Sequence, residues 1–143
     1  MLWDHPGSDV LPLLLAAGAS VHIATDGDHH QVPLEQLVKK KIQRGELLVN
    51  IIVPTDVNVK FFKHSRRQTA DLAIANMAIG FKIIDEKKID DVKIYIGGIG
   101  IGIKDCPQRN IIKAGQLEQM LTECNIDEIS QEAICAAVEE EMG

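Results

Sequence analysis

The feature that most constrains the fold of this chain is a change in hydrophobic periodicity near residue 69. Over residues 57–63, apolar side chains alternate with others, which is typical of a half-buried strand. From residue 70 onward, apolar residues recur at helical spacing in a stretch rich in helix formers. We therefore predict a helix over residues 70–80, capped by Thr69 or Asp71 and closed by Gly80.

The predicted corner between this strand and this helix concentrates positive charge in Lys63, Arg66 and Arg67. Side-chain cations and the free backbone N–H groups of a helix N-terminus converge at such a corner, so it can hold an anion or an electron-rich ring. The alternative is a solvated turn in which the two arginines pair with surface acids. Such pairs contribute little to stability.

The residues before this corner predict one small α/β unit. Ser8 and Asp9 stand where an N-cap is needed, Gly18 where a helix stops, and Asp26-Gly27 is a hairpin signal. The predicted elements are a buried helix over 10–17, strands over 19–24 and 29–34, a short helix over 35–41 and a buried strand over 47–53. Residues 54–56 interrupt the pattern and mark the predicted domain boundary.

The residues after the boundary predict a compact α+β domain. A three-stranded antiparallel sheet (57–63, 81–85 and 89–96) is packed with three helices (70–80, 114–124 and 127–142). The glycines that begin at Gly97 fail the dinucleotide-binding pattern, because its third glycine would fall at Ile103. We predict instead a sharp strand exit that needs positive φ or a close backbone approach.

Composition and charge exclude several classes of function. The net charge of −6 opposes broad binding to nucleic acid or to an anionic membrane. The chain has no apolar run of about 18 residues and no secretion signal. Its three cysteines, Cys106, Cys124 and Cys135, are widely spaced. They are expected to be buried small apolar residues, in a protein of the reducing cytoplasm.

The spacing of the reactive side chains does not predict a catalytic or metal site. No Ser-His-Asp order, carboxylate pair or Cys-His pair stands out. His22, His29 and His30 flank the predicted hairpin, but adjacent residues of a strand point to opposite faces. We therefore expect exposed hairpin residues there, with no metal bound. From its residues alone, the chain is not predicted to be an enzyme.

Four segments of the chain carry a resemblance to a known family. They are Ser-Asp-Val-Leu-Pro-Leu-Leu-Leu-Ala (8–16), Gly-Glu-Leu-Leu-Val-Asn-Ile-Ile-Val-Pro (45–54), Phe-Lys followed by Ser-Arg-Arg and Asp-Leu-Ala (62–73), and Lys-Ile-Tyr-Ile-Gly-Gly-Ile-Gly (93–100). In this order they resemble the FAD-binding (flavoprotein) component of the molybdenum hydroxylases. That family includes xanthine dehydrogenase, aldehyde oxidase and aerobic carbon monoxide dehydrogenase. The resemblance covers nearly the whole chain.

The resemblance implies three flavin-binding residues. Asp9 matches the family's aspartate that hydrogen-bonds the ribityl or isoalloxazine region of FAD. Leu48 matches the leucine whose backbone contacts the ring edge, and Lys63 matches the lysine that reaches the flavin. A cation at that place would stabilise negative charge on the reduced ring. Three further motif residues are expected to form salt bridges that fix the domain or face the NAD side: Arg66, Arg67 and Asp71.

The resemblance also implies which part of the family's flavoprotein this is. In the family, the glycine-rich loops that hold the FAD pyrophosphate precede the Ser-Asp segment. We expect residues 1–54 to be the end of the second FAD-binding subdomain, and residues 55–143 to be the whole carboxy-terminal domain. Such a component relays electrons from an iron–sulfur subunit through FAD to an acceptor such as NAD, while a molybdenum-cofactor subunit oxidises the substrate. Affinity for FAD should be weak without the pyrophosphate loops.

Two alternatives of another class stay open. The chain could be a non-catalytic interaction or assembly module that keeps the fold without flavin, in which case changes at Asp9 and Lys63 would have no effect. It could also be a homo-oligomer: without the upstream subdomain, the apolar flank of residues 10–17 and 47–53 should be exposed, and a second copy would cover it.

Overall fold

The computed structural model of the protein describes residues 8–40, 42–67, 69–85, 88–98, 111–122 and 130–142. Its elements, in chain order, are α1 (Val10–Ala16), β1 (Ser20–Thr25), β2 (Asp28–Pro33), α2 (Leu34–Lys40), β3 (Leu47–Ile52), β4 (Asn58–His64), β5 (Ala75–Asp85), β6 (Lys88–Gly97), β7 (Ile112–Lys113), α3 (Gly115–Leu121) and α4 (Gln131–Met142). The predicted α+β class is confirmed.

The first sheet has the strand order β2-β1-β3, and both of its pairings are antiparallel. The turn between β1 and β2 lies at Asp26-Gly27, where Gly27 has a φ of +88°, a conformation that glycine adopts without steric cost. The predicted hairpin is therefore confirmed. The helices predicted on either side of it are present as α1 and α2.

The second sheet has the order β4-β5-β6-β7 and is antiparallel throughout. It contains the three predicted strands, and the short β7 adds a fourth. The helix predicted over residues 70–80 is wrong, because β5 begins at Ala75 and continues to Asp85. This strand pairs with β4 on one side and β6 on the other. Neither Thr69 nor Asp71 therefore caps a helix there, and the predicted anion-holding corner loses its helix N-terminus.

Gly80, predicted to stop a helix, instead marks the closest approach of α1 to β5. A Cβ atom at Gly80 would lie 1.9 Å from the carbonyl oxygen of Ala16. Only glycine allows a neighbouring backbone this close. At its own end, α1 stops as predicted: Gly18 has a φ of +70°, and the N–H groups of Gly18 and Ala19 donate to Leu15 and Leu14.

Helix α1 lies on the second sheet and shares a core with the first. This core contains Leu11, Leu15, Ala16, Ala19, Val21, Ile23, Leu34, Leu37, Ala78 and Tyr95. A second core, with α3 and α4 packed against the sheet, contains Val92, Ile94, Ile96, Ala114 and Leu117. Met120 and Leu121 of α3 and Ala137 and Val138 of α4 pack against it, so the predicted packing of the last two helices on the sheet is confirmed.

Two predictions of burial are wrong. The strand predicted to be buried is β3, which lies at the edge of the first sheet and has five exposed residues among its six. An apolar run predicts a strand, but it does not predict which layer covers that strand. Cys135 is exposed on α4, while Cys106 and Cys124 lie outside the described residues.

The predicted strand exit is confirmed by Gly98, with a φ of +80°; Ile103 is not among the described residues.

Candidate functional site

The candidate site lies where the start of α1 meets the second sheet. Lys63 Nζ donates one hydrogen bond to Asp9 Oδ2 at 2.6 Å and another to the carbonyl oxygen of Asp71 at 2.7 Å. The Lys63 and Asp9 side chains are each 30% exposed, so the ion pair is partly withdrawn from water. Such charge-assisted bonds are shorter and stronger than neutral ones. The structure thus brings together two of the three predicted flavin-binding residues.

The Asp9 carboxylate does not serve as the cap of α1, although its position predicts that role. Asp9 is the N-cap residue, yet its side chain makes no capping hydrogen bond. Ser8 Oγ accepts the hydrogen bond from the N–H of Leu11 instead, at 3.3 Å. Both oxygens of Asp9 are engaged by side chains from the sheet, Oδ2 by Lys63 and Oδ1 by Asn76. The carboxylate is therefore directed toward the site.

Asn76 is the residue of this site that sequence reasoning missed. It lies on β5 and is 3% exposed, and no other amide or charged side chain of the described residues is buried. Its Nδ2 donates to Asp9 Oδ1 at 3.0 Å and to the Ser8 carbonyl oxygen at 3.3 Å. The available signal was a lone amide within the apolar run of residues 72–79. A buried amide needs partners, and this requirement points to a polar cluster.

The segment between β4 and β5 is fixed by short-range contacts. The Arg67 N–H donates to Asp71 Oδ2 at 3.2 Å, and the guanidinium lies 3.8 Å from the same carboxylate. Ser65 Oγ donates to the Arg67 carbonyl oxygen at 2.6 Å, and the N–H of Ile74 donates to the His64 carbonyl oxygen at 2.8 Å. Arg67 and Asp71 therefore form the expected local salt bridge, which presents the Asp71 carbonyl oxygen to Lys63. Arg66 is exposed.

Leu48, the third predicted residue, lies on β3 in the first sheet. It is paired with Ile23 of β1 and is partly buried against the core that contains α1. The described contacts do not link it to Asp9 or Lys63. The assignments of Asp9, Leu48 and Lys63 to flavin binding stay predictions.

The predicted hairpin histidines lie on β1 and β2. His22 Nε2 is 3.3 Å from Gln31 Oε1 across the hairpin, while His29 and His30 pair with Ala24 and Ile23. In the described ranges, no three His, Cys, Asp or Glu side chains are grouped so that they could hold a metal ion. Nor does any helix of the described part of the chain have the length and apolar character needed to cross a membrane.

A second charged cluster joins α2 to the second sheet, away from Lys63. Lys113 Nζ lies 3.6 Å from Glu35 Oε2 and 3.9 Å from Glu118 Oε2, and 5.9 Å from the centre of the Tyr95 ring. Burial raises the pKa of Tyr95, and the negative charge of Glu35 raises it further. Burial also raises the pKa of Glu118, against the effect of the hydrogen bond from the Ile94 N–H. We assign this cluster a role in packing.

Comparison with known proteins agrees with the resemblance seen in the motifs. Residues 60–143 match the family described as "CO dehydrogenase flavoprotein C-terminal domain", and residues 2–56 match "FAD binding domain in molybdopterin dehydrogenase". Aldehyde oxidase 1 of Rattus norvegicus is 28% identical over 142 residues, a match that covers 88% of this chain and 10% of the relative. Nicotinate hydroxylase hnxS of Emericella nidulans is 29% identical over 105 residues, 66% of this chain and 8% of the relative.

Solved structures share the fold. The carbon monoxide dehydrogenase of Hydrogenophaga pseudoflava that lacks the Mo-pyranopterin moiety of its molybdenum cofactor aligns with a TM-score of 0.76 at 19% identity, over 96% of this chain and 46% of that one. Quinoline 2-oxidoreductase of Pseudomonas putida 86 aligns with a TM-score of 0.71 at 18% identity, over 98% and 46%. The chain thus spans about a tenth of the curated relatives and just under half of these solved chains. Because the family matches together cover nearly all of its length, the chain belongs to the FAD-binding components of the molybdenum hydroxylases.

Proposed function

We propose that this chain forms one wall of a flavin site, with Asp9, Leu48 and Lys63 contacting FAD. The observation that carries the proposal is the position of the Lys63 ammonium, which is held by Asp9 and by the Asp71 carbonyl oxygen. The match of residues 2–56 to an FAD-binding domain supports it. We also propose a division at residues 54 and 55, because the first sheet ends at Ile52 and the second begins at Asn58.

The donor set at Lys63 fits the electron-rich edge of a flavin. A lysine ammonium has three N–H donors and no acceptor. Two of the three have acceptors among the described residues, and the side chain is 30% exposed. The third N–H is therefore available to an acceptor outside the protein core. FAD, when bound, would supply the hydride and electron transfer that amino-acid side chains cannot perform.

The residues of the chain have separate tasks in this proposal. Lys63 places positive charge where negative charge on the reduced ring needs stabilisation. Asp9 and the Asp71 carbonyl oxygen fix the direction of the Lys63 ammonium, and Asp9 partly offsets its charge. Leu48 offers its backbone to the edge of the ring. The Lys63 ammonium is fixed before any ligand arrives, so less of the binding free energy is spent on ordering it.

We extend the proposal to an electron relay. Electrons would pass from an iron–sulfur subunit through FAD to an acceptor such as NAD, while a molybdenum-cofactor subunit oxidises the substrate in the cytoplasm, as in xanthine dehydrogenase. The solved structures that share this fold include a Cu,Mo-CO dehydrogenase, which favours a molybdenum partner. We expect weak affinity for FAD from these residues, because the glycines that begin at Gly97 do not match a pyrophosphate-binding loop.

The test is the visible absorption spectrum of the purified chain before and after addition of FAD, followed by gel filtration. A flavin band that remains with the protein supports the proposal, and Asp9→Ala and Lys63→Met should each weaken FAD binding at least about tenfold. Lys82→Met is the matched control, because it breaks an ion pair of the same length on the same sheet. If the wild-type chain ignores FAD at every concentration, autonomous flavin binding is wrong.

A homo-oligomer is the second candidate, and the edge strand β3 favours it. Leu47, Val49 and Ile51 are 65%, 51% and 42% exposed, so the edge strand presents apolar side chains to solvent. The register shift in its pairing with β1 falls at Val49, so these three side chains do not share one face. An edge strand of this kind is a template for pairing with a second chain. Val49→Lys should shift a dimer to monomer in sedimentation equilibrium, and a wild-type chain that is monomeric at every concentration would exclude this candidate.

An interaction module without flavin differs from the flavin site in one respect. Its partner binding would be unaffected by Asp9→Ala and Lys63→Met, as would a homo-oligomer formed through β3, because neither residue lies on that strand.

A further inference from the structure

We propose that Asn76 is a positioning residue, which holds the Asp9 carboxylate and, through it, the Lys63 ammonium in the geometry needed at the flavin-facing site. This inference rests on the function proposed above. The effect of Asn76 would pass through Asp9, which it bonds at 3.0 Å.

The chemistry of the partners fixes the orientation of the Asn76 amide. Both groups near Nδ2, the Ser8 carbonyl oxygen and Asp9 Oδ1, can only accept hydrogen bonds. A flipped amide would turn its oxygen toward a carboxylate and a carbonyl, which is repulsive. Asn76 therefore fixes Oδ1 of Asp9 while Lys63 binds Oδ2. With one side chain on each oxygen, rotation of the carboxylate is restricted.

Strand register places these groups in one row across the second sheet. Lys63 of β4 lies directly opposite Asn76 of β5, and Asn76 lies opposite Gly97 of β6. A Cβ atom at Gly97 would lie 2.6 Å from Asn76 Oδ1 and 3.1 Å from Pro12 Cγ. The row therefore needs a residue without a side chain beside the amide. Gly97 supplies the space that the Asn76 amide occupies.

The Asn76 amide is buried although its oxygen has no hydrogen-bond partner among the described residues. Burial without a partner is unfavourable for a polar atom. A leucine of similar shape would avoid this cost. The compensating interactions are all at Nδ2 and lead to Ser8 and Asp9. Both bonds tether the start of α1, and the bond to Asp9 also fixes the carboxylate that accepts from Lys63.

The test compares the chemical reactivity of individual lysines in the full chain. The free amine is the nucleophile, so an ammonium held by acceptors is acetylated slowly. The measured quantity is the ratio of the acetylation rates of Lys63 and Lys82, determined by peptide mass spectrometry. In Asn76→Leu this ratio should rise about threefold, because the charge-assisted bond from Lys63 to Asp9 weakens. Asp9→Asn is the positive control and should raise the same ratio. Lys82 provides the internal reference, since its partner Asp56 has no contact with Asn76.

Two outcomes would overturn the inference. One is an unchanged ratio in Asn76→Leu while Asp9→Asn raises it. The other is an equal rise at every lysine, which would mean general destabilisation. If Asn76→Leu does not fold, Gly97→Ala replaces it, because the added methyl group pushes on Oδ1 and leaves the amide chemistry intact. That variant should raise the ratio less than Asn76→Leu does, and no rise would count against the inference.

The measurement separates this inference from the function on which it rests, because it uses no FAD. A wild-type chain that ignores FAD, together with a raised Lys63 ratio in Asn76→Leu, would reject flavin binding and retain the positioning role. If the wild type and Asn76→Leu bind FAD with equal affinity and the Lys63 acetylation ratio is unchanged, only the positioning role is rejected.

Discussion

Two lysines of the second sheet, Lys63 and Lys82, each form an ion pair with an aspartate at the same distance but in different surroundings. The distance from Nζ to Oδ2 is 2.6 Å both in Lys63–Asp9 and in Lys82–Asp56. The side chains of Lys82 and Asp56 are 39% and 68% exposed, whereas those of Lys63 and Asp9 are each 30% exposed. Lys63 and Asp9 also have further polar partners. An ion pair is therefore distinguished as a site by its additional partners and its burial, and not by its length.

The largest predicted effect is that of Gly80→Ala, which should disrupt the packing of α1 on the second sheet and, as a result, the Lys63–Asp9 ion pair. The added methyl group would meet the Ala16 carbonyl oxygen at 1.9 Å. We expect the free energy of unfolding to fall by about 3 kcal/mol in urea denaturation, as in other overpacked cores. Gly115→Ala is the control, because a Cβ atom there meets nothing within 4 Å. Equal stability of the two variants would contradict the packing of α1 on β5.

The next effect separates the two ion pairs directly. Lys63→Met removes the partner of a half-buried carboxylate and should lower the free energy of unfolding by about 1 kcal/mol. Lys82→Met removes the partner of an exposed carboxylate and should cost clearly less, since water replaces the lysine. Both variants keep the aliphatic stem of the side chain. Urea unfolding of the two variants side by side is the measurement, and equal losses would show that the surroundings of Lys63 do not strengthen its pair.

The sequence predicts most of the fold, and it fails where tertiary pairing overrides local preference. Residues 72–79 have helical spacing and several alanines, yet they include the start of a strand. The deciding facts are the pairing of β5 with two neighbours and the contact of α1 at Gly80. Neither can be read from the spacing of apolar residues. By contrast, the hairpin at Asp26-Gly27 and the stop at Gly18 are local backbone requirements and were predictable.

The candidate site was predictable in part for the same reason. Asp9 and Lys63 are found through a family resemblance, but their contact spans 54 positions and depends on where α1 lies on the sheet. Asn76 falls within the helix predicted over residues 70–80, so the sequence does not predict its burial beside Asp9. The direction of the Asp9 carboxylate could not be foreseen either, because an aspartate at this position usually caps a helix. The structure gives that role to Ser8.

Glu118 sharpens the comparison, because it has a lysine nearby and yet a raised pKa. Lys113 Nζ lies 3.9 Å from its carboxylate, but burial outweighs this attraction and raises the pKa above the ordinary 4.5. The folded state therefore binds the proton more tightly than the unfolded state. The free energy of unfolding should fall as pH rises from about 4.5 through the raised pKa.

Glu118→Gln should remove this pH-dependent loss of stability, because glutamine has no carboxyl group to ionise. Its amide oxygen can still accept the hydrogen bond from the Ile94 N–H. The stability of the variant relative to the wild type should increase from acid to neutral pH in urea titrations at several pH values. A difference that stays constant with pH would mean that burial does not control this carboxyl group.

The smallest effect concerns the exposed pair itself. The hydrogen bond from Lys82 lowers the pKa of Asp56 below its ordinary 3.8, so this contribution to stability is present above about pH 3.8 and is lost as pH falls through the lowered value. Asp56 in turn raises the pKa of Lys82 above 10.5, so that contribution is present below about pH 10.5 and is lost as pH rises through the raised value.

In Lys82→Met, the pKa of Asp56 should return toward 3.8 in an NMR titration of its side-chain carbonyl carbon. Because the pair is exposed, added salt should produce part of the same return in the wild type. A pKa of Asp56 that Lys82→Met leaves unchanged would show that a 2.6 Å contact does not persist in solution without the additional partners that Lys63 and Asp9 have.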